Sequence, residues 1–252
     1  RRHSFPTRRS SDLTVVTLQG KNMSTIKKIA TFTALATTML AANSAMAAIK
    51  PFSATYNFNI EGKYNGTAVR TLKQTGNQYQ YNVDAKVGKL ASAKQASSFI
   101  NKNGMIVPVM SSTQYKILGA GRTTTLNFNA AAKQLTSNYK GETKVIPMPQ
   151  IAFDDLSLEV QIREDLKAGK FRGNYLMADR NKIESVPFTK SATTKITVPA
   201  GTFDVVRIDR VHDDKNRQTS FWLAPSLDYL PIKVAQTDDG KKMEMNLSKV
   251  NQ

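Results

Sequence analysis

The residues best suited to chemistry fall in one tract, "RVHDDKNRQTSFWLAPSLDYLP", Arg210 to Pro231. It holds His212, Asp213 and Asp214 in a row, and Trp222, the single tryptophan of the chain. A histidine beside acids could serve as a general base or a metal ligand. A base needs its rotamer held by packing, and "HDDKN" has the composition of a hairpin end. No Gly-x-Ser-x-Gly elbow offers it a nucleophile. Neighbouring side chains on a strand point to opposite faces, so three in a row do not close one tetrahedral metal site. The tract therefore reads as a solvated turn, with no catalytic residue and no metal ligand expected. Asp154-Asp155 reads as a helix start and Asp238-Asp239 as a turn. The calcium-loop pattern and the Gly-rich phosphate loop are both absent from the sequence, and no cofactor is expected. A hydrolase built on paired carboxylates stays open, because such pairing is spatial, but nothing nominates a pair.

Aromatic strands offer another kind of site. Tyr56, Phe58, Tyr79, Tyr81 and Phe99 could line a cavity for an apolar ligand, as the concave face of a curved sheet can. They could equally be ordinary core, the commoner use of such residues. The cavity reading predicts open space under Tyr56 and Tyr81.

These side chains sit on period-two patterns. "FSATYNFNI" places Phe52, Ala54, Tyr56, Phe58 and Ile60 on one face, and "QYQYNVDAKV" places Tyr79, Tyr81, Val83, Ala85 and Val87 together. Turns punctuate the strands at Gly62–Gly66, Thr75–Asn77, Asn101–Gly104 and Leu118–Gly121. One segment differs. From Asp154 to Ala168 the pattern predicts a helix. Asp154 would cap it, Phe153 and Leu158 would form a hydrophobic staple, Glu159 and Arg163 an i,i+4 pair, and Gly169 would end it.

Register can be counted in the C-terminal third. Asp239-Gly240 is a strong hairpin signal that pairs Thr237 with Lys242, Val234 with Met245 and Ile232 with Leu247. A loop at Asp213–Asn216 would pair His212 with Arg217, Ile208 with Phe221 and Val206 with Leu223. Arg207 would then face Trp222 as a cation–π pair. "VPAGTF" at Val198–Phe203 reads as a turn, and "APSLDYLP" as a loop.

The first part of the chain reads as an address. "RRHSFPTRRSSDL" resembles translated sequencing adapter, so residues 1–22 are set aside as an artefactual or untranslated leader. Met23, Lys27, Lys28, an apolar run to Leu40 and "NSAMA" form a signal peptide over 23–47, cleaved between Ala47 and Ala48. The run is too short to span a membrane. Residues 48–252 are expected to be a single β-rich domain. Of the 36 Lys/Arg and 19 Asp/Glu, the first 47 residues hold seven and one, which leaves 29 and 18 and a net charge of +11. The cations are scattered, as on a solvated surface, and do not form a nucleic-acid stripe. The absence of cysteine excludes disulfides and a cysteine-linked lipid anchor.

"PFSATYNF", "GTAVRTL", "FDDLSLEVQIREDL", "VPAGTFDVVRIDR", "FWLAPSLDYLPIKV" and "DDGKKMEMNL" resemble, in order and spacing, the bacterial family called domain of unknown function 3108. The resemblance implies an exported envelope domain rich in antiparallel β-structure with little helix. It implies no activity and no catalytic residues. The expected fold is mainly β, an antiparallel curved sheet or incomplete β-barrel with one packed α-helix. The expected protein is periplasmic, monomeric and non-catalytic. It binds an apolar or lipid-like ligand or, alternatively, acts as a scaffold or assembly partner in the envelope.

Overall fold

The structure, a computed structural model, describes residues 49–251; the expected leader, the expected signal peptide and the expected cleavage point at Ala47–Ala48 lie outside the described residues. Eight strands precede the helix: β1 (Phe52–Ile60), β2 (Tyr64–Thr75), β3 (Gln78–Val87), β4 (Ala91–Lys102), β5 (Met105–Ile117), β6 (Ala120–Asn129), β7 (Gln134–Tyr139) and β8 (Glu142–Pro147). The helix α1 (Asp155–Lys167) is followed by β9 (Asn174–Ala178), β10 (Ile183–Val198), β11 (Gly201–Arg210), β12 (Arg217–Ala224), β13 (Leu230–Asp238) and β14 (Lys241–Asn251). Sequential strands pair antiparallel, and β14 returns to pair with β1. The result is one 14-stranded sheet with β8 and β9 at its two edges. The helix is the connection between those edges.

Strand positions follow the alternation of the sequence. Phe52, Ala54 and Tyr56 are buried along β1, and Tyr79 and Tyr81 along β3. Irregular register at Thr55/Tyr56, Ser98/Phe99, Lys190/Thr193 and Trp222/Leu223 bends the ladder, since an extra residue on one strand kinks it. The sheet curls around α1, ten of whose 13 residues are buried. Helix side chains reach β2, β5 and the loop after β12, a span that only a wrapped sheet can offer to one helix.

The sheet does not close into a barrel. Its edges are drawn together by other means. The Phe153 N–H donates to the Leu176 carbonyl at 2.9 Å, and the Ala178 N–H to the Phe153 carbonyl at 2.8 Å. Lys144 Nζ donates to the Asn181 carbonyl at 2.8 Å, and the Arg180 guanidinium lies 4.3 Å from the Tyr139 ring centre. A small apolar cluster of Leu126, Phe128, Leu135, Ile146 and Ala178 fills the seam. The main core lies on the concave side and includes Tyr56, Tyr81, Phe99, Leu158 and Ile162.

Helix ends form as the sequence predicts. Asp154 Oδ1 accepts from the Leu156 and Ser157 N–H groups at 3.1 and 3.3 Å. Gly169, at φ +67°, ends the helix. Its N–H donates to Leu166 and that of Lys170 to Asp165, the paired bonds of a Schellman motif. Phe153 and Leu158 share the main core. The expected Glu159–Arg163 pair is absent. Glu159 turns to Arg70 and Tyr81, and Arg163 Nε donates to the Asp228 carbonyl at 3.0 Å. Both residues are enclosed by the sheet, so partners across the core outbid a helical neighbour that suits an exposed surface.

Hairpin registers agree with the count at Thr237–Lys242 and Val234–Met245, and Ile232 and Leu247 are fully buried. Val206–Leu223, Arg207–Trp222 and Ile208–Phe221 pair as counted, with the Arg207 guanidinium 5.7 Å from the Trp222 ring centre. The turn differs. The ladder stops at Arg210–Thr219, so His212 does not pair with Arg217. It leaves the strand and folds back, with Nε2 3.0 Å from the Thr219 hydroxyl.

Candidate functional site

A cavity of about 650 Å³ opens between α1 and one end of the sheet. Strand register explains why it exists. Ala68 pairs with Ala85, and Ala85 with Ala93. All three line the cavity. Three adjacent strands therefore present only methyl groups, while the next inward rows present Arg70 opposite Val83 and then Leu72 opposite Tyr81. The space those alanines leave is not refilled by α1, which contributes Leu156, Leu158 and Ile162 to the wall. Across the cavity, Ile208, Phe221, Val234 and Met245 form a paired apolar row.

The floor is polar and filled. Arg70 forms an ion pair with Glu159. Tyr81 Oη donates to the other Glu159 oxygen at 2.9 Å, and the guanidinium lies over the Tyr56 and Tyr81 rings. Burial works against the Arg70 charge, but Glu159, Tyr81 and Tyr56 together outweigh it and hold the guanidinium protonated. Burial pushes the Tyr56 phenol up to about 12, with Arg70 opposing. Burial likewise raises Tyr81 well above its ordinary value. Tyr56 Oη donates to the Pro231 carbonyl at 2.8 Å, which fixes the ring.

Polarity changes toward the rim. One step beyond Ile208 and Phe221, the inward positions are Arg210 paired with Thr219, and Thr219 paired with Gln236. Arg217 and His212 complete this side. Arg210 Nε is buried without a hydrogen-bond partner. The nearest carboxylate to this guanidinium, Glu184, stands 4.0 Å away. His212 is held below its usual value by burial, then by Arg210 and Arg217, against Asp214 and Asp238. It is thus a neutral rim residue in a positive surrounding, half-buried instead of solvated as the sequence suggested.

Asp155 projects from the first turn of α1 into the same cavity. Its side chain keeps accessible surface. Burial raises its pKa to about 6, with Asp154 adding to the rise and Arg210 opposing it. Asp155 also borders a second, polar hollow of about 430 Å³ at the seam with Asp179 and Arg180. Asp154 beside it is committed. Its Oδ2 accepts from the Ser97 and Ser157 hydroxyls at 2.8 and 2.6 Å.

Of the five aromatic residues singled out by sequence, Phe58 lines the cavity. Tyr56, Tyr79, Tyr81 and Phe99 are core, with Tyr79 and Phe99 stacked at 5.5 Å. Tyr56 and Tyr81 are fully buried, and the open space lies over the alanine row, which Tyr56 flanks as the partner of Ala68 and from which Tyr81 is two inward rows removed. The alanines were the signal that sequence reading passed over. Among the described residues there is no cluster of three His, Cys, Asp or Glu able to hold a metal, and no helix is long and apolar enough to cross a membrane.

The fold has a solved counterpart. A beta-barrel-like protein of the domain of unknown function DUF1849 from Brucella abortus superposes with a TM-score of 0.55 at 10% identity, covering 81% of this chain and 98% of that one. At that identity the likeness shows the fold alone. No curated protein matches the chain. The sequence pattern of the family of proteins of unknown function DUF3108 matches residues 52–246, so the chain belongs to that family.

Proposed function

We propose that this is an exported, non-catalytic protein of the cell envelope that carries an apolar or lipid-like ligand in the cavity beside α1. The observation that carries the reading is the cavity itself. Its volume of about 650 Å³ falls in the range, roughly 300–1,000 Å³, of sites that enclose a small ligand. Between the polar floor and the polar rim, its walls are mainly alanine, leucine, isoleucine, valine, methionine and phenylalanine. The signal-like segment before residue 48 supports export. The carboxylates support a non-catalytic role. Both Glu159 oxygens are engaged by Arg70 and Tyr81, which leaves Asp155 as the one uncommitted acid in the cavity.

Native mass spectrometry of protein purified from the periplasm tests this reading. The expected result is a bound species that denaturation releases, together with saturable binding of the neutral apolar dye N-phenylnaphthylamine by delipidated protein. An apo mass with no dye binding overturns the carrier reading. Absence of the protein from the periplasm overturns the export reading.

A further inference from the structure

Among the described residues, four of the eleven exposed large apolar side chains meet at one place, including the two most exposed. Leu90 lies in the turn between β3 and β4, and Leu118 in the turn between β5 and β6. The two turns are joined, because the Leu118 N–H donates to the Leu90 carbonyl at 2.8 Å. Leu90, Ile117 and Leu118 are 49%, 67% and 76% exposed, and Tyr115 beside them is 55% exposed. Tyr115 and Ile117 also line the cavity. The lip is therefore continuous with the cavity wall.

Leu118 is an unusual choice for its position. It has φ +49°, followed by Gly119 at +83°. Two successive positive φ values are the geometry of a type I′ hairpin turn, which favours Asn-Gly or Asp-Gly. Turns of the same kind elsewhere in this sheet obey that rule with polar residues: Asn103-Gly104, Lys140-Gly141 and Asp239-Gly240. A leucine there is strained, because its side chain crowds the following carbonyl. It is also exposed, so core packing does not repay the strain. A disfavoured residue kept in an exposed turn points to a contact outside the fold.

The surroundings of the lip are cationic. Lys86, Lys89, Lys116 and Arg122 flank it, all exposed. Asp84, the acid on this part of β3, is already shared between Lys86 at 3.6 Å and Lys94 at 3.7 Å. Lys89 and Lys116 make no ion pair among the described residues. Across the mouth the turns are balanced in charge instead, with Asp213 and Asp214 beside Lys215 and Arg217, and Asp238 and Asp239 beside Lys241 and Lys242. Apolar side chains at a tip, ringed by lysines, match an anionic bilayer: the leucines enter the acyl boundary and the ammonium groups meet the headgroups.

We propose that the Leu90–Ile117–Leu118 lip docks the mouth of the cavity onto an anionic membrane surface. The inference takes its meaning from the carrier reading, since a docked mouth lets an apolar ligand pass without crossing water. The contact itself does not depend on that reading.

Vesicle flotation with the purified protein tests it. Vesicles containing phosphatidylglycerol should bind the protein and phosphatidylcholine vesicles should bind it at least about tenfold more weakly, as expected for several lysines near a charged surface. Leu118→Asn combined with Leu90→Ser should weaken flotation with anionic vesicles at least about tenfold. The same loss should follow Lys89→Gln with Lys116→Gln, and added salt should mimic it. Asparagine suits the turn, so Leu118→Asn alone should not lower the melting temperature. Dye binding to the cavity should be unchanged in the leucine variants and in Lys89→Gln, none of which alters a lining residue. Wild-type binding without preference for anionic vesicles, or leucine variants that float like wild type, overturns the docking. Flotation without dye binding by the wild type leaves the docking standing and overturns the carrier reading.

Discussion

Arg70 of β2 and Glu159 of α1 form an ion pair under the cavity, with side chains only 6% and 13% exposed. It ties the enclosed helix to the sheet and seals the cavity from the core below. Removing one partner leaves the other as a buried charge, which typically costs about 3–5 kcal/mol. Glu159→Leu or Arg70→Met should each destabilise the fold by that order, read as a lower midpoint in urea. The double variant should recover most of the loss, because an apolar pair of similar volume replaces the ion pair. Equal loss in all three variants would remove this account of how the helix is held.

The alanine row predicts an uncommon response to a larger side chain. Ala85 and Ala93 face each other across β3 and β4 and look into the cavity. In a filled core, an added ring would cost about 1–3 kcal/mol through overpacking. Here Ala85→Trp should leave the melting temperature unchanged or raise it, while binding of N-phenylnaphthylamine falls at least tenfold. Differential scanning fluorimetry and dye titration on the same sample separate the two effects. A drop of stability with dye binding intact would mean that the space is not where the ligand sits.

Much of the scaffold was legible because it depends on local chemistry. The alternation in "FSATYNFNI" and "QYQYNVDAKV" marks β1 and β3 to the residue, and Asp154 with Gly169 marks the two ends of the helix. Asp239-Gly240 sets a register that can be counted. The site was less legible because it is made by pairing between distant segments. Alanine in a strand carries no signal by itself. Only the alignment of Ala68, Ala85 and Ala93 across three strands leaves a void. The partner of Glu159 is 89 residues away in sequence, beyond any helical rule. The paired aromatic residues, by contrast, attracted notice by type, and most of them are spent on filling the core.

Gly66 shows how tightly the cavity wall is built near Phe58. A Cβ at position 66 would stand 2.2 Å from the end of the Phe58 ring and 2.5 Å from the Lys86 carbonyl oxygen. The ring could swing into the cavity, but the carbonyl is part of the backbone and cannot. Gly66→Ala should therefore cost about 1–3 kcal/mol, the usual range for a forced backbone shift. It should also weaken dye binding, because a displaced Phe58 ring occupies the ligand's space. Phe58→Ala in the same background should restore dye binding without restoring stability, which distinguishes the two contacts.

Asp155 makes the cavity sensitive to pH. Burial raises its pKa to about 6, against an ordinary value of 3.8. A carboxyl that holds its proton more tightly in the folded state opposes folding once it must ionise. Its burden is absent below the unfolded pKa, grows as the pH rises through the interval from 3.8 to about 6, and is fully present above it. Asp155→Asn removes the ionisation. The variant should melt higher than wild type at pH 7.5, and its advantage should shrink as the pH falls through 6 and vanish near pH 4. Asp154 forbids reading the wild-type curve alone. Burial also raises its pKa, with the hydrogen bonds from Ser157 and Ser97 opposing. The difference between variant and wild type across pH isolates Asp155. The ligand should respond in the same sense, since an uncharged Asp155 makes the wall more apolar. Dye binding to wild type should tighten between pH 7.5 and pH 5, and Asp155→Asn should bind with the tighter affinity throughout. A flat difference in melting temperature across that range would show that the Asp155 carboxyl ionises as freely in the cavity as in water.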